Sequence, residues 1–336
     1  MLFRSTVVDV ADPAQPTVLE KTTLDGWLVD ARAIDGRVVV VTQDSLDIPA
    51  PAIIKIPPPV PGPVDPQPTP GADPGVIAID LPFRIAIPSF WWNNGDPAGT
   101  RYVYEDKASY LARLEKAWTD TALPRFSVTA GDTTTGGSLV SSGHTYVPLK
   151  PSANQLLSVS SFNVDDDTAG PDATTAVAGV SGSVYASTSN LYISASHYGN
   201  WWDWTDVTTT TNVYQFDLTS GSVPLTAMGA IPGVTLDQFS LDETDGLLRV
   251  ATTNGFGGNA SSGVYVLAAA AGNLQTIGSV SGLAKGERIY SVRFVGDVGY
   301  VSTFRQFDPL FVIDLGNPAR DRKSTRLNSS HEWISR

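Results

Sequence analysis

Two tryptophan clusters stand out among the residues that could meet a ligand: Trp91-Trp92, ahead of Asn93-Asn94-Gly95-Asp96, and Trp201-Trp202-Asp203-Trp204. Indole faces beside Asn and Asp can stack on sugar rings or anchor a protein partner. Side chains alternate sides along a strand, so consecutive aromatics cannot all enter one sheet face, and part of each cluster is expected in loops. Trp91, Trp92, Trp201, Trp202 and Trp204 are therefore the candidates for a ligand face. The competing reading is that they pack one part of the chain against another.

Other chemistry is sparse. Asn163, Asp165, Asp166, Asp167 and Asp172 place oxygen ligands at short intervals, which calcium, with its six to eight oxygens, could use. The run lacks the turn glycine and closing glutamate of an EF-hand, so a solvated acidic loop competes with calcium at Asp165, Asp167 and Asp172. His144 and His197 are the histidines outside the last sixteen residues, and cysteine is absent. No HExxH pair occurs, and thiolate-ligated zinc, iron–sulfur clusters and disulfides are excluded. No cofactor is expected, calcium being the alternative. A carboxylate pair for glycoside hydrolysis could be drawn from Asp237, Asp242 and Glu243, but a sequence does not set the separation that this chemistry requires. Gly255–Gly263 is Gly-rich yet lacks the Lys-Ser/Thr of a phosphate-binding loop. Glu287, Arg288, Arg305, Gln306 and Asp308, with Asp237 and Gln238, punctuate strand ends, where such groups satisfy buried backbone. No catalytic residue is assigned.

The elements that must position these residues are strands. Ile289–Phe294 alternates, Gly296-Asp297 turns, Val298–Thr303 alternates again, and Leu310–Leu315 follows as a third strand. The same sentence recurs: Asp35-Gly36 before Arg37–Thr42, Ser189-Asn190 before Leu191–Ser196, and Asp245-Gly246 before Leu247–Thr252. Short turns that allow positive φ between alternating flanks mark tight β-hairpins. Further strands are expected at Thr6–Val10, Leu157–Phe162, Val213–Leu218 and Val264–Leu267. From Asp217 to Leu267 to Asp314 the unit repeats about every 50 residues, the length of one four-stranded propeller blade. The fold class is thus all-β, a propeller of antiparallel blades over residues 5–320; a two-sheet sandwich is the alternative.

One interval breaks the period. Residues 46–155 are expected to form a long insertion, Pro-rich over 48–74 and therefore unable to pair in a central strand. Within it Tyr110, Leu111, Leu114 and Trp118 recur at helical spacing, which predicts one amphipathic helix near 105–118. The last stretch, 321–336, switches abruptly to basic, Ser- and Asn-rich sequence and resembles a translated sequencing adapter rather than native chain. It holds four basic and two acidic residues, so the remainder is more acidic still than the net charge of −12. Because the chain also opens inside a strand pattern, truncation at both ends is expected.

The acidic balance opposes binding to nucleic acid or to anionic membranes, which need Lys and Arg patches. No apolar run approaches the ~20 residues of a membrane helix, and Met1–Arg4 is not a signal peptide.

Val234–Glu243 followed by Asp245–Thr253, together with Gly286–Phe294 and Tyr300–Leu315, resembles the secreted β-propeller-domain proteins of bacteria and archaea. Leu24-Asp25-Gly26 with Val29–Arg32 fits an earlier blade of the same family. The resemblance implies a propeller in an extracellular or cell-envelope setting and carries no catalytic residue over. The resulting expectation is a binding or interaction scaffold for a protein or carbohydrate ligand. A hydrolase or lyase acting on polysaccharide through acidic loop residues, with calcium in support, is the alternative.

Overall fold

The computed structural model describes residues 2–46, 49–56, 101–117, 123–149, 153–164, 169–198, 209–304, 310–317 and 325–327. The chain divides into two compact units, Met1–Leu46 with Leu123–Arg336, and Asp47–Ala122. In the larger unit, β1 (Leu2–Asp9) pairs with β2 (Thr17–Asp25), and β3 (Trp27–Ile34) pairs with β4 (Arg37–Ser45). Asp35 and Gly36 between β3 and β4 have φ of 46° and 73°. Two successive left-handed residues form a type I′ turn, whose twist matches that of the flanking strands.

The smaller unit holds β5 (Ile53–Ile56), β6 (Arg101–Tyr104) and α1 (Lys107–Ala117), the helix expected near 105–118. The Asp106 carboxylate caps α1, accepting the Ser109 N–H at 3.0 Å and its hydroxyl at 2.6 Å. Such a cap satisfies one of the first-turn donors that a helix leaves unpaired. Glu105 accepts from Arg113 and from the Ala52 N–H, and both bonds hold its carboxyl below the usual carboxylate range. Leu111, part of the expected apolar stripe, is exposed.

Beyond this unit the chain returns to sheets already begun. β7 (Arg125–Ala130) pairs with β2, and β8 (Thr133–Ser138) with β7. β9 (Thr145–Tyr146) lies parallel to β11 (Ala173–Ala178), while β10 (Gln155–Asn163) bridges β11 and β4. The first two blades are therefore interleaved, in the orders β1-β2-β7-β8 and β3-β4-β10-β11-β9. The interval expected as one excursion over 46–155 narrows accordingly, because Arg125–Ser138 and Thr145–Tyr146 are blade strands.

The next blades are sequential. They comprise β12 (Ser183–Ala186), β13 (Asn190–Tyr198), β14 (Thr209–Asp217) and β15 (Leu225–Pro232); then β16 (Leu241–Thr244), β17 (Leu247–Asn254), β18 (Ser261–Ala270) and β19 (Asn273–Leu283); then β20 (Arg288–Val295), β21 (Val298–Phe304), β22 (Leu310–Asp314) and β23 (Thr325–Leu327). β23 falls inside the 321–336 segment and pairs antiparallel with β22. Asp245 and Gly246 repeat the type I′ geometry with φ of 53° and 73°. Ser189-Asn190 does not turn in this way. The last paired residues of that hairpin are Ala186 and Leu191, and the wider turn is held by the Ser187 hydroxyl, which accepts the Asn190 N–H at 3.0 Å.

Each middle blade is buried on both faces, which is why its strands read as nearly continuous apolar runs. Leu191 and Ile193 pack with Val39, Val41, Leu157 and Val159 of the second blade. Tyr192, between them in sequence, packs on the other side with Leu241, Leu248, Val250 and Leu267 of the fourth. Ala251, next to Val250, joins Ile289, Val301, Phe311 and Ile313 of the fifth. This alternation stacks blade on blade, where a sandwich would close after two layers. Burying one such Leu or Ile contributes about 1.5–3 kcal/mol.

Candidate ligand pocket

The first strands of four blades, β3, β12, β16 and β20, converge on a cavity of about 250 Å³. Its wall includes Arg32, Tyr185, Gln238, Phe239, Asp242 and Arg293. Arg32 stands opposite Val39, Asp242 opposite Arg249, and Arg293 opposite Tyr300. Each lies two residues before the last pair of its hairpin, namely Ile34–Arg37, Thr244–Leu247 and Val295–Val298. One register position, repeated from blade to blade, thus delivers the charged side chains to the same place. Gln238 and Phe239 enter from a short 3-10 turn, Gln238–Ser240, ahead of β16.

The turn is set by Asp237. Its carboxylate accepts the Phe239 N–H at 2.9 Å, while the Ser240 hydroxyl accepts the Asp237 N–H at 3.4 Å. This reciprocal capping aims the Phe239 ring, over which the Arg293 guanidinium lies at 4.0 Å from the centroid. Cation–π attraction of this kind holds a guanidinium against the ring without consuming its N–H donors. Arg32 pairs with Asp30 and donates to Gln238 Oε1 at 3.3 Å.

The neighbouring carboxylates are spent on structure. Asp242 accepts from Arg249 Nε at 2.9 Å and also from its Nη2. Arg249 is 5% exposed and gives further bonds to the Gly296 carbonyl and the Thr244 hydroxyl, both at 2.6 Å. Glu243 accepts the Ser187 hydroxyl at 2.7 Å and Asn190 Nδ2 at 2.9 Å, tying the third blade's turn to the fourth blade. The Tyr185 hydroxyl accepts the Glu243 N–H at 2.9 Å, and burial pushes the phenol pKa up, so it stays protonated. Asp237, Asp242 and Glu243, the residues from which a hydrolytic pair could be drawn, thus cap a turn, pair a buried arginine and join two blades. Glu287 has a comparable role, accepting the Thr303 hydroxyl at 2.7 Å.

Several of the other sequence candidates fall where the structure gives no description. Trp91, Trp92, Trp201, Trp202 and Trp204 lie outside the described residues, as do Asp165, Asp167, Arg305, Gln306 and Asp308. Asp172 is described: it accepts the Asn163 N–H at the end of the β10–β11 hairpin. His197 is exposed near the end of β13, and His144 bonds the Ser141 hydroxyl at 3.0 Å. Among the described residues no three His, Asp or Glu are grouped to hold a metal ion. No described helix is long and apolar enough to cross a membrane. Sequence reasoning singled out neither Arg32 nor Arg293. The available signal was their shared position in Arg32-Ala33-Ile34-Asp35-Gly36 and Arg293-Phe294-Val295-Gly296-Asp297, the same short distance ahead of two hairpin turns.

Comparison with known proteins agrees with this architecture. The model of the beta propeller domain family matches residues 3–328, nearly the whole chain. Uncharacterised archaeal proteins are similar over a shorter stretch. One from Archaeoglobus fulgidus is 50% identical over 91 residues, 27% of this chain and 14% of that protein. Another, from Methanocaldococcus jannaschii, is 46% identical over 93 residues, again 27% and 14%. The matched stretch thus spans about a seventh of the curated relatives' length. The chain belongs to the beta propeller domain family.

Proposed function

We propose that this propeller is a binding module rather than an enzyme, and that its ligand is met at the pocket where the first strands of four blades converge. The observation that carries this reading is the division of labour around that pocket. The nearby carboxylates are committed to holding the scaffold, while Arg293 and the Gln238 amide keep donors in hand. A rigid, concave site with a few convergent polar groups is the usual form of a small-ligand site. Hydrolysis would require two carboxylates released from structural bonds, which weighs against the polysaccharide-cleaving alternative. Trp91, Trp92, Trp201, Trp202 and Trp204 belong to the same proposal as an aromatic contact surface for a carbohydrate or protein, as does an exported, cell-envelope setting. Calcium at Asp165, Asp167 and Asp172 is a separate, ancillary proposal.

The test is a two-part screen of the purified chain. Binding to an immobilised panel of glycans and small metabolites is expected, without release of reducing ends or unsaturated products from polysaccharides. Turnover of any polysaccharide would overturn the reading, and so would a complete lack of ligands across the panel.

A further inference from the structure

The pocket carries a charge opposite to that of the molecule around it. The chain has a net charge of −12, yet the charged side chains lining the cavity are Arg32, Arg293 and Asp242, of which Arg32 pairs with Asp30 and Asp242 with Arg249, neither partner a lining residue. Arg32 and Arg249 are paired. Among the described residues no carboxylate pairs with Arg293, which is exposed and rests on Phe239. One positive charge is therefore left over. Gln238 points the same way: its Oε1 is used by Arg32, and its Nε2 keeps two donors. From these observations, and resting on the binding role proposed above, we infer that the pocket receives a small organic monocarboxylate, gripped by Arg293 and assisted by Gln238.

The chemistry favours that class over others. A guanidinium and a carboxylate match as planar forks, and the charge-assisted bonds that result are stronger than neutral ones. A single uncompensated charge suits a monoanion. A phosphate dianion would bring a second negative charge with no further unpaired guanidinium among the described wall residues to meet it. The contact with the Phe239 ring takes none of the guanidinium's N–H donors and limits the side-chain freedom lost on binding. The cavity volume admits a sugar acid as readily as a short hydroxy acid; both supply the same carboxylate, with hydroxyls for the polar rim.

Calorimetric titration of the intact chain at low ionic strength tests the assignment with glucuronate, lactate, glucose and inorganic phosphate. Glucuronate, lactate or both should bind and glucose should not; the preferred acid distinguishes a sugar-acid source from a short-acid one. Arg293→Met should weaken binding about tenfold or more, the effect of losing a charged hydrogen-bond partner. Arg293→Lys should fall between, keeping the charge without the fork. Circular dichroism should show both variants folded, as expected for an exposed side chain. Equal binding by wild type and Arg293→Met would overturn the inference, as would phosphate binding more tightly than either acid, or neither acid binding. If the acids fail while the wider panel still yields a ligand, the charge assignment falls and the binding role stands.

Discussion

Arg249 and Arg293 sit one blade apart, each over a phenylalanine ring, and they are used in opposite ways. Arg249 lies 5.3 Å from the Phe294 centroid, is 5% exposed, and gives bonds to Asp242, Thr244 and the Gly296 carbonyl. Arg293 lies 4.0 Å from the Phe239 centroid and is exposed. A buried charge is costly unless every donor is met, so a guanidinium with all its partners in place is a structural rivet between blades. A charge in a concave, wet site carries no such demand and can wait for a partner from outside. The difference between the two arginines separates what holds this propeller together from what it offers.

Four experiments bear on that contrast, the largest effect first. Asp242→Asn leaves Arg249 buried without its counter-ion and should destabilise the larger unit by on the order of 3 kcal/mol, read as a shifted denaturation midpoint. A loss within experimental error would make Arg249 as dispensable as Arg293. Gly246→Ala forces an L-residue to φ of 73° in the turn joining Asp242's strand to Arg249's, for a cost of about 1–2 kcal/mol. Arg293→Met should change stability by about 0.5 kcal/mol or less, as surface substitutions do, while weakening carboxylate binding about tenfold or more. Finally, raising salt to about 0.5 M should weaken ligand binding at the open pocket yet leave the midpoint difference between wild type and Asp242→Asn nearly unchanged, since buried pairs are screened far less than exposed ones.

The strands were legible because burial on both blade faces writes itself into sequence as uninterrupted apolar runs, as in Val38-Val39-Val40-Val41 and Leu247-Leu248 with Val250-Ala251. Turns with Gly at the second position, Asp35-Gly36 and Asp245-Gly246, announced left-handed backbone correctly. The interleaving of the first two blades was hidden, because β7 and β8 are Thr-, Ser- and Gly-rich and, of their side chains, only Val128 is fully buried. Such strands are recruited by the edge that β2 presents rather than by their own apolar pattern. The pocket was half-hidden. Each arginine taken singly looks like a surface residue, and only superposing the blades on their hairpins reveals a common position. Among the acidic residues the types were visible but not their partners, since the ties from Glu243 to Ser187 and Asn190 span more than 50 positions.

The most direct test follows the arginine side chains by NMR, watching the Nε–Hε resonances during titration with whichever carboxylate binds. The Arg293 resonance should shift with saturation while that of Arg249 stays put. Movement of Arg249 with Arg293 unaffected, or binding that perturbs neither, would contradict the account.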